Sequence, residues 1–109
     1  DLPVVLQDDA PAGSMHSWHL FVVRLLPECR IGRDQLFDEM SARGIRCSVH
    51  YTPLHKFTYW RQHYGLSADQ FPVSEAAGQT IISLPLFVSM SREQVDYVVK
   101  QLRELIAPR

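Results

Sequence analysis

The stretch Ser91–Ile106 carries Val95, Val98, Val99, Leu102, Leu105 and Ile106 at spacings of three and four residues. That period places all of them along one side of an α-helix. Ser91, followed three residues on by Gln94, forms a capping-box pattern at its start. A helix with a single apolar stripe owes its stability to the surface it packs against. The remainder of the chain must therefore build an apolar face, and the sequence indicates a small sheet.

His16–Leu26 (HSWHLFVVRLL) is rich in aromatic and β-branched residues and is closed by Pro27, the signature of a strand. Alternation would send Trp18, Leu20, Val22 and Arg24 one way and His19, Phe21, Val23 and Leu25 the other. Both sets are largely apolar, so this strand is expected to be covered on both sides or to lie at a domain contact. Arg33–Arg43 sets Leu36, Phe37 and Met40 at helical spacing, with Gly44 as the stop signal. Ile45–Tyr51 reads as a second strand ended by Thr52–Pro53, and Leu54–Tyr64 as a short aromatic helix ending at Gly65. Residues 66–71 read as a loop, and Pro72 suits the first turn of a helix through Thr80. Ile81–Phe87 (IISLPLF) is a third strand, which Pro85 confines to an edge or a terminus. The expected order is β-α-β-α-α-β-α, an α+β fold with helices packed on one face of a small, mainly antiparallel sheet. Residues 1–15, with acidic residues, prolines and Gly13–Ser14, read as a linker or lead-in. The domain proper is then expected over 16–109.

A chain of 109 residues supports one core. A formal net charge of −1 argues against a nucleic-acid-binding domain, because no basic stripe is present to neutralise phosphates. No apolar run is long enough to span a bilayer. The opening residues lack the basic start and apolar centre of a signal peptide. Cys29 and Cys47 stand far apart and form no CxxC, so two free thiols in a cytoplasmic protein are expected.

The densest collection of reactive side chains is RCSVHYTPLH, Arg46–His55. As a metal site it fails on spacing: His50 and His55 are separated by a proline turn and match no ligand pattern. His16 and His19, three apart on a strand, point to opposite faces. A Cys47–His50 dyad fails for the same reason, and Cys47 reads better as a small buried apolar residue. What remains is His50–Tyr51 at a strand end, where rigid elements deliver polar side chains into clefts. The local alternative, a half-buried tyrosine and a histidine satisfied by backbone, stays open on these residues alone.

Four segments in order carry a resemblance. HSWHLFVVRL is similar to the first small-domain strand of the DegT/StrS-type nucleotide-sugar aminotransferases, and RDQLFDEMSARGI to their short helix followed by Gly-Ile. SVHYTPLHKFTYW resembles their HY-x-P-L-H stretch with its trailing aromatics. FPVSEAAGQTIISLPLFVSMSREQVDYVVKQL resembles their FP-x-(A/S)-E helix, SLP(L/M)(F/Y) strand and terminal helix. The likeness runs over roughly residues 14–106; Trp18 and the acidic lead-in are its departures. It implies the C-terminal small domain of a fold-type I enzyme that depends on pyridoxal phosphate. The implied reaction moves an amino group, typically from glutamate, to a keto-sugar carried on a nucleotide. In such enzymes the cofactor lysine, the partner of the pyridine nitrogen and most phosphate contacts belong to a large domain. The resemblance thus implies no catalytic, cofactor-binding or metal residue in this chain, whose two lysines are Lys56 and Lys100. His50 and Tyr51, with His55 beside them, would line one wall of the substrate cleft. The partners implied are the nucleotide-sugar, the amino donor, the large domain of the same chain and a second copy in a homodimer. The isolated domain is expected to be inactive. The competing expectation is a stand-alone binding or interaction module of the same shape.

Overall fold

The computed structural model describes residues 2–107; residue 1 and residues 108–109, the outer ends of the expected lead-in and domain, lie outside it. Among the described residues β2 (Phe21–Leu25) is the centre of a three-stranded antiparallel sheet, between β1 (Val4–Leu6) and β3 (Ile81–Leu84). The register sets Val23 against Leu6 on one side and Ile82 on the other. The α+β class therefore holds, but the element order is β-β-α-α-α-β-α. Two differences from the sequence reading account for that change.

First, Val4–Leu6 lies within the stretch read as a lead-in yet forms an edge strand. Three residues are too short to display alternation, and much of the pairing energy comes from the partner strand. Gln7 prolongs the edge, its Oε1 accepting from the Val22 N–H at 2.9 Å. Second, Ile45–Tyr51 is extended but pairs at a single bridge, Ser48 with Ser83, through bonds of 3.0 and 2.8 Å. That register would next oppose Arg46 to Pro85, which has no N–H to give. In the other direction it would oppose His50 to Ile81, whose carbonyl accepts from Arg33 Nη1 at 3.1 Å. The strand expected over His16–Leu26 is also shorter, forming only at Phe21–Leu25: Trp18 adopts a left-handed φ of 48°, and its N–H is taken by His16 Nδ1 at 2.9 Å.

The helices are α1 (Arg33–Ala42), α2 (Thr58–Tyr64), α3 (Pro72–Thr80) and α4 (Arg92–Ile106), with 3₁₀ turns at Leu54–Lys56 and Ala68–Gln70. The stop of α1 is a Schellman motif: Gly44 N–H bonds Ser41 O, Ile45 N–H bonds Met40 O, and Gly44 takes φ +74°. The flanking hydrophobic pair of that motif, Met40 and Ile45, is buried. The capping box of α4 forms as expected, Ser91 Oγ accepting from the Gln94 N–H and Gln94 Oε1 from the Ser91 N–H. At the other end of α4, Arg30 donates to the carbonyls of Leu105 and Glu104 at 3.1 and 2.9 Å, satisfying acceptors that the helix leaves open.

The core lies between one sheet face and the pair α1–α4. It comprises Val23, Leu25 and Ile82 from the strands, Leu36 and Met40 from α1, Ile45, Cys47, and Val98, Leu102, Leu105 and Ile106 from α4. Val95 and Val99 sit at the rim of the α4 stripe, 42% exposed each. No residue of α2 or α3 is fully buried, so these helices form an outer layer beside the core.

Candidate functional site

The extended segment after α1 obeys a two-residue period. Ile45 and Cys47 turn into the core and Val49 is half-buried, while Arg46, Ser48 and His50 face outward on one side. Burial pushes the Cys47 thiol up to about 11, which removes it as a nucleophile at neutral pH. Both cysteines are free.

The outward row opens on a hollow of about 400 Å³. Its floor is the Ser48–Ser83 bridge. One flank is His19–Leu20, ahead of β2, and the other is Leu84–Phe87 after β3. His50 Nδ1 lies 2.9 Å from the buried Ser83 hydroxyl, which fixes the ring over the floor. Tyr51 meets that ring edge-on, centroids 4.8 Å apart, through a cis peptide bond, and its own side chain is 72% exposed. A second, more apolar hollow of about 420 Å³ adjoins the first and shares Arg46, Pro85 and Phe87 with it.

His55 lies elsewhere. It is 4% exposed, stacks on Phe71 at 5.3 Å, and donates from Nε2 to Glu75 Oε2 at 2.7 Å. Lys56 Nζ and Gln79 Nε2 reach the other carboxylate oxygen at 2.8 and 2.7 Å. The Lys56 and His55 bonds hold the Glu75 carboxyl down at about 2. This cluster ties the Leu54–Lys56 turn to α3. It borders a separate hollow of about 320 Å³ with Arg61 and Ser67. Of the residues singled out in the sequence, His50 and Tyr51 are brought together and His55 is not.

Sequence reasoning missed Arg46, His19 and Ser83 as neighbours of His50. Arg46 was within reach, since it shares the parity of His50 in the same extended run. Ser83 and Glu75 were not, because each meets its histidine across a separation that no local spacing encodes. Among the described residues no group of three or more His, Cys, Asp or Glu side chains is placed to hold a metal ion.

The α+β fold that carries this hollow is shared with solved aminotransferase structures. Residues 1–103 match the sequence profile of the DegT/DnrJ/EryC1/StrS aminotransferase family, and the chain belongs to that family. The structure is similar to Spr1654 of Streptococcus pneumoniae, assigned as a sugar aminotransferase, in its PLP form: TM-score 0.84, 25% identity, 94% of this chain covered. It also resembles a DegT DnrJ EryC1 StrS aminotransferase from Brucella abortus (TM-score 0.76, 27% identity, 96% covered). The aminotransferase TlmJ of Streptoalloteichus hindustanus matches at TM-score 0.75 and 25% identity over 94% of the chain. The chain spans 26% of the length of each of these proteins.

Proposed function

We propose that this chain is the C-terminal small domain of a cytoplasmic, pyridoxal-phosphate-dependent sugar aminotransferase, and that the His50 hollow is one wall of its substrate cleft. The observation that carries this reading is the outward row Arg46–Ser48–His50 opening on a preformed polar recess. The chain's own residues do not fit the cofactor. Lys56 lines the hollow of about 320 Å³ but its amine is held as an ion pair by Glu75, and Lys100 sits on the exposed side of α4, so neither offers the free, desolvated amine that an aldehyde needs. In the complete enzyme the cofactor would supply the carrier chemistry for the amino group, and the lysine that would hold it is assigned to the large domain. The isolated 109-residue chain is accordingly inactive, and the complete protein works as a homodimer.

Within the cleft, His50 and Tyr51 donate hydrogen bonds to sugar hydroxyls and to anionic oxygens of the nucleotide-sugar. His55, locked by Glu75 and Phe71, acts as a support for the segment that carries them. Phe57, Tyr59 and Tyr64, each about half exposed, form an aromatic surface suited to contact with the rest of the enzyme. A stand-alone interaction module would expose the same surface, and the two readings separate on the transaminase activity of the complete wild-type protein.

In the complete enzyme, His50→Ala removes a hydrogen bond to a charged or polar substrate group, worth about 1.5–3 kcal/mol. The KM for the nucleotide-sugar is expected to rise by about ten- to a hundredfold, with the cofactor's absorbance spectrum unchanged. Loss of that spectrum would instead assign His50 to the cofactor. A protein with no transaminase activity in the wild type would favour the interaction module.

A further inference from the structure

The hollow beside His50 has a charge character that the substrate-wall reading leaves unused. Its lining includes one guanidinium (Arg46), two imidazoles (His19 and His50) and two hydroxyls (Ser48 and Ser83), and no carboxylate. Arg46, like Arg24, Arg61, Arg92 and Arg103, makes no ion pair and no side-chain hydrogen bond among the described residues, whereas Arg30, Arg33 and Arg43 are engaged; of the unengaged arginines Arg46 is the one that lines this hollow. Glu93 lines the adjoining apolar hollow with Arg46, but no ion pair joins the two. A cation left free at the rim of a recess without acids is the arrangement that selects anions.

We propose that Arg46 makes this hollow an anion site, its guanidinium fork taking a phosphate or carboxylate of the substrate while His19, His50 Nε2 and the Ser48 hydroxyl complete the donor set, the Ser83 hydroxyl being turned to His50 Nδ1. The inference rests on the reading that the hollow faces substrate, and it deepens that reading by naming the group recognised. Backbone alternation is what aims the site. Arg46, Ser48 and His50 lie on one side of the segment, and Ile45 and Cys47 anchor the other side in the core. Pro85, opposite Arg46 in the register, cannot extend the ladder, so the backbone there stays open and the guanidinium has room to reach a ligand. Arginine suits this place because its planar fork meets two oxygens of a phosphate or carboxylate at once, whereas an ammonium offers a point charge.

The test is steady-state kinetics of the complete enzyme carrying Arg46→Gln and Arg46→Lys, with nucleotide-sugar and L-glutamate varied in turn. Arg46→Gln is expected to raise one of the two KM values about tenfold while kcat stays within about twofold, and Arg46→Lys to restore part of the loss. A shift in the nucleotide-sugar KM identifies a phosphate, and a shift in the glutamate KM a carboxylate. Both values remaining within twofold of wild type would overturn the proposal. Because Arg46 bonds nothing in the fold, the thermal unfolding midpoint of Arg46→Gln serves as the folding control. Calorimetric titration of the same proteins with uridine diphosphate and with L-glutamate tests the anion site without turnover. Equal affinities in wild type and Arg46→Gln for both probes count against Arg46. An enzyme that binds one of these anions through Arg46 but aminates no nucleotide-sugar keeps the anion site and discards the assigned reaction.

Discussion

A methyl group added at Gly78 has no space: an ideal Cβ there would stand 2.5 and 2.7 Å from Cγ and Cδ of Pro53. Helix propensity alone would favour alanine at this interior position of α3 by about 1 kcal/mol. Overpacking against a rigid ring costs about 1–3 kcal/mol, so Gly78→Ala is expected to lose about 1 kcal/mol net, read as a lower denaturant midpoint. A gain in stability would show that Pro53 moves freely. The contact bears on the site, because Pro53 is three residues from His50 and α3 therefore sets where that segment runs. At this scale the sequence was legible wherever a residue's role is local. Burial of Cys47 followed from alternation and its apolar neighbours. His50 stood out through its motif, yet its partner Ser83 did not, being brought to it only by the bridge between two distant segments. His55 carried the same signal as His50 and proved to be a buried partner of Glu75, since a histidine's surroundings are not written in its neighbours.

Elements differ in how much of their cause is local. The helix α4 was readable end to end because its cap, its stripe and its length are all encoded within its own residues. Ser91→Ala removes the acceptor for the Gln94 N–H and is expected to cost about 1 kcal/mol, with the loss read as a lower unfolding midpoint and weaker amide protection in the first turn of α4. Unchanged protection there would mean that packing of Val98 and Leu102 alone holds the turn. The segment Ile45–Tyr51 shows the opposite case. Its composition says strand, but a ladder needs donors and acceptors on both sides. Pro85 and the Arg33 guanidinium withdraw them from the partner. That shortfall keeps Arg46 and His50 out of a regular sheet and at the edge of the hollow. The edge strand Val4–Leu6 escaped notice because three residues carry no period, and its pairing with β2 is decided by the partner.

The molecule as a whole is flat, 48 × 40 × 23 Å, and its Cα radius of gyration of 15.9 Å exceeds the roughly 13 Å of a compact chain of this length. The core between the sheet and α1–α4 is apolar, whereas the outer layer, from the Leu54–Lys56 turn through α3, has no fully buried apolar side chain and is tied by the Glu75 cluster. The groups facing that carboxylate are Lys56 and His55 from the turn, Gln79 from α3 itself, and Arg61 of α2 across the same hollow. With the folded carboxyl at about 2 against an ordinary 4.5, its contribution is complete above about pH 4.5 and is lost as pH falls from there towards 2. Acid should therefore release the outer layer before the core. In hydrogen exchange, amides of residues 54–80 are expected to lose protection across that window while those of β2 and α1 keep theirs. Asp69 and Glu93, held down by hydrogen bonds from Ser67 and from backbone at helix starts, titrate in the same direction, so the comparison with Glu75→Gln isolates the cluster. Glutamine keeps the shape and loses the charge. That variant should be less stable at pH 7 and lose less protection over residues 54–80 between pH 4.5 and 2. Equal acid responses in the two proteins would place the weak point of the outer layer somewhere other than Glu75.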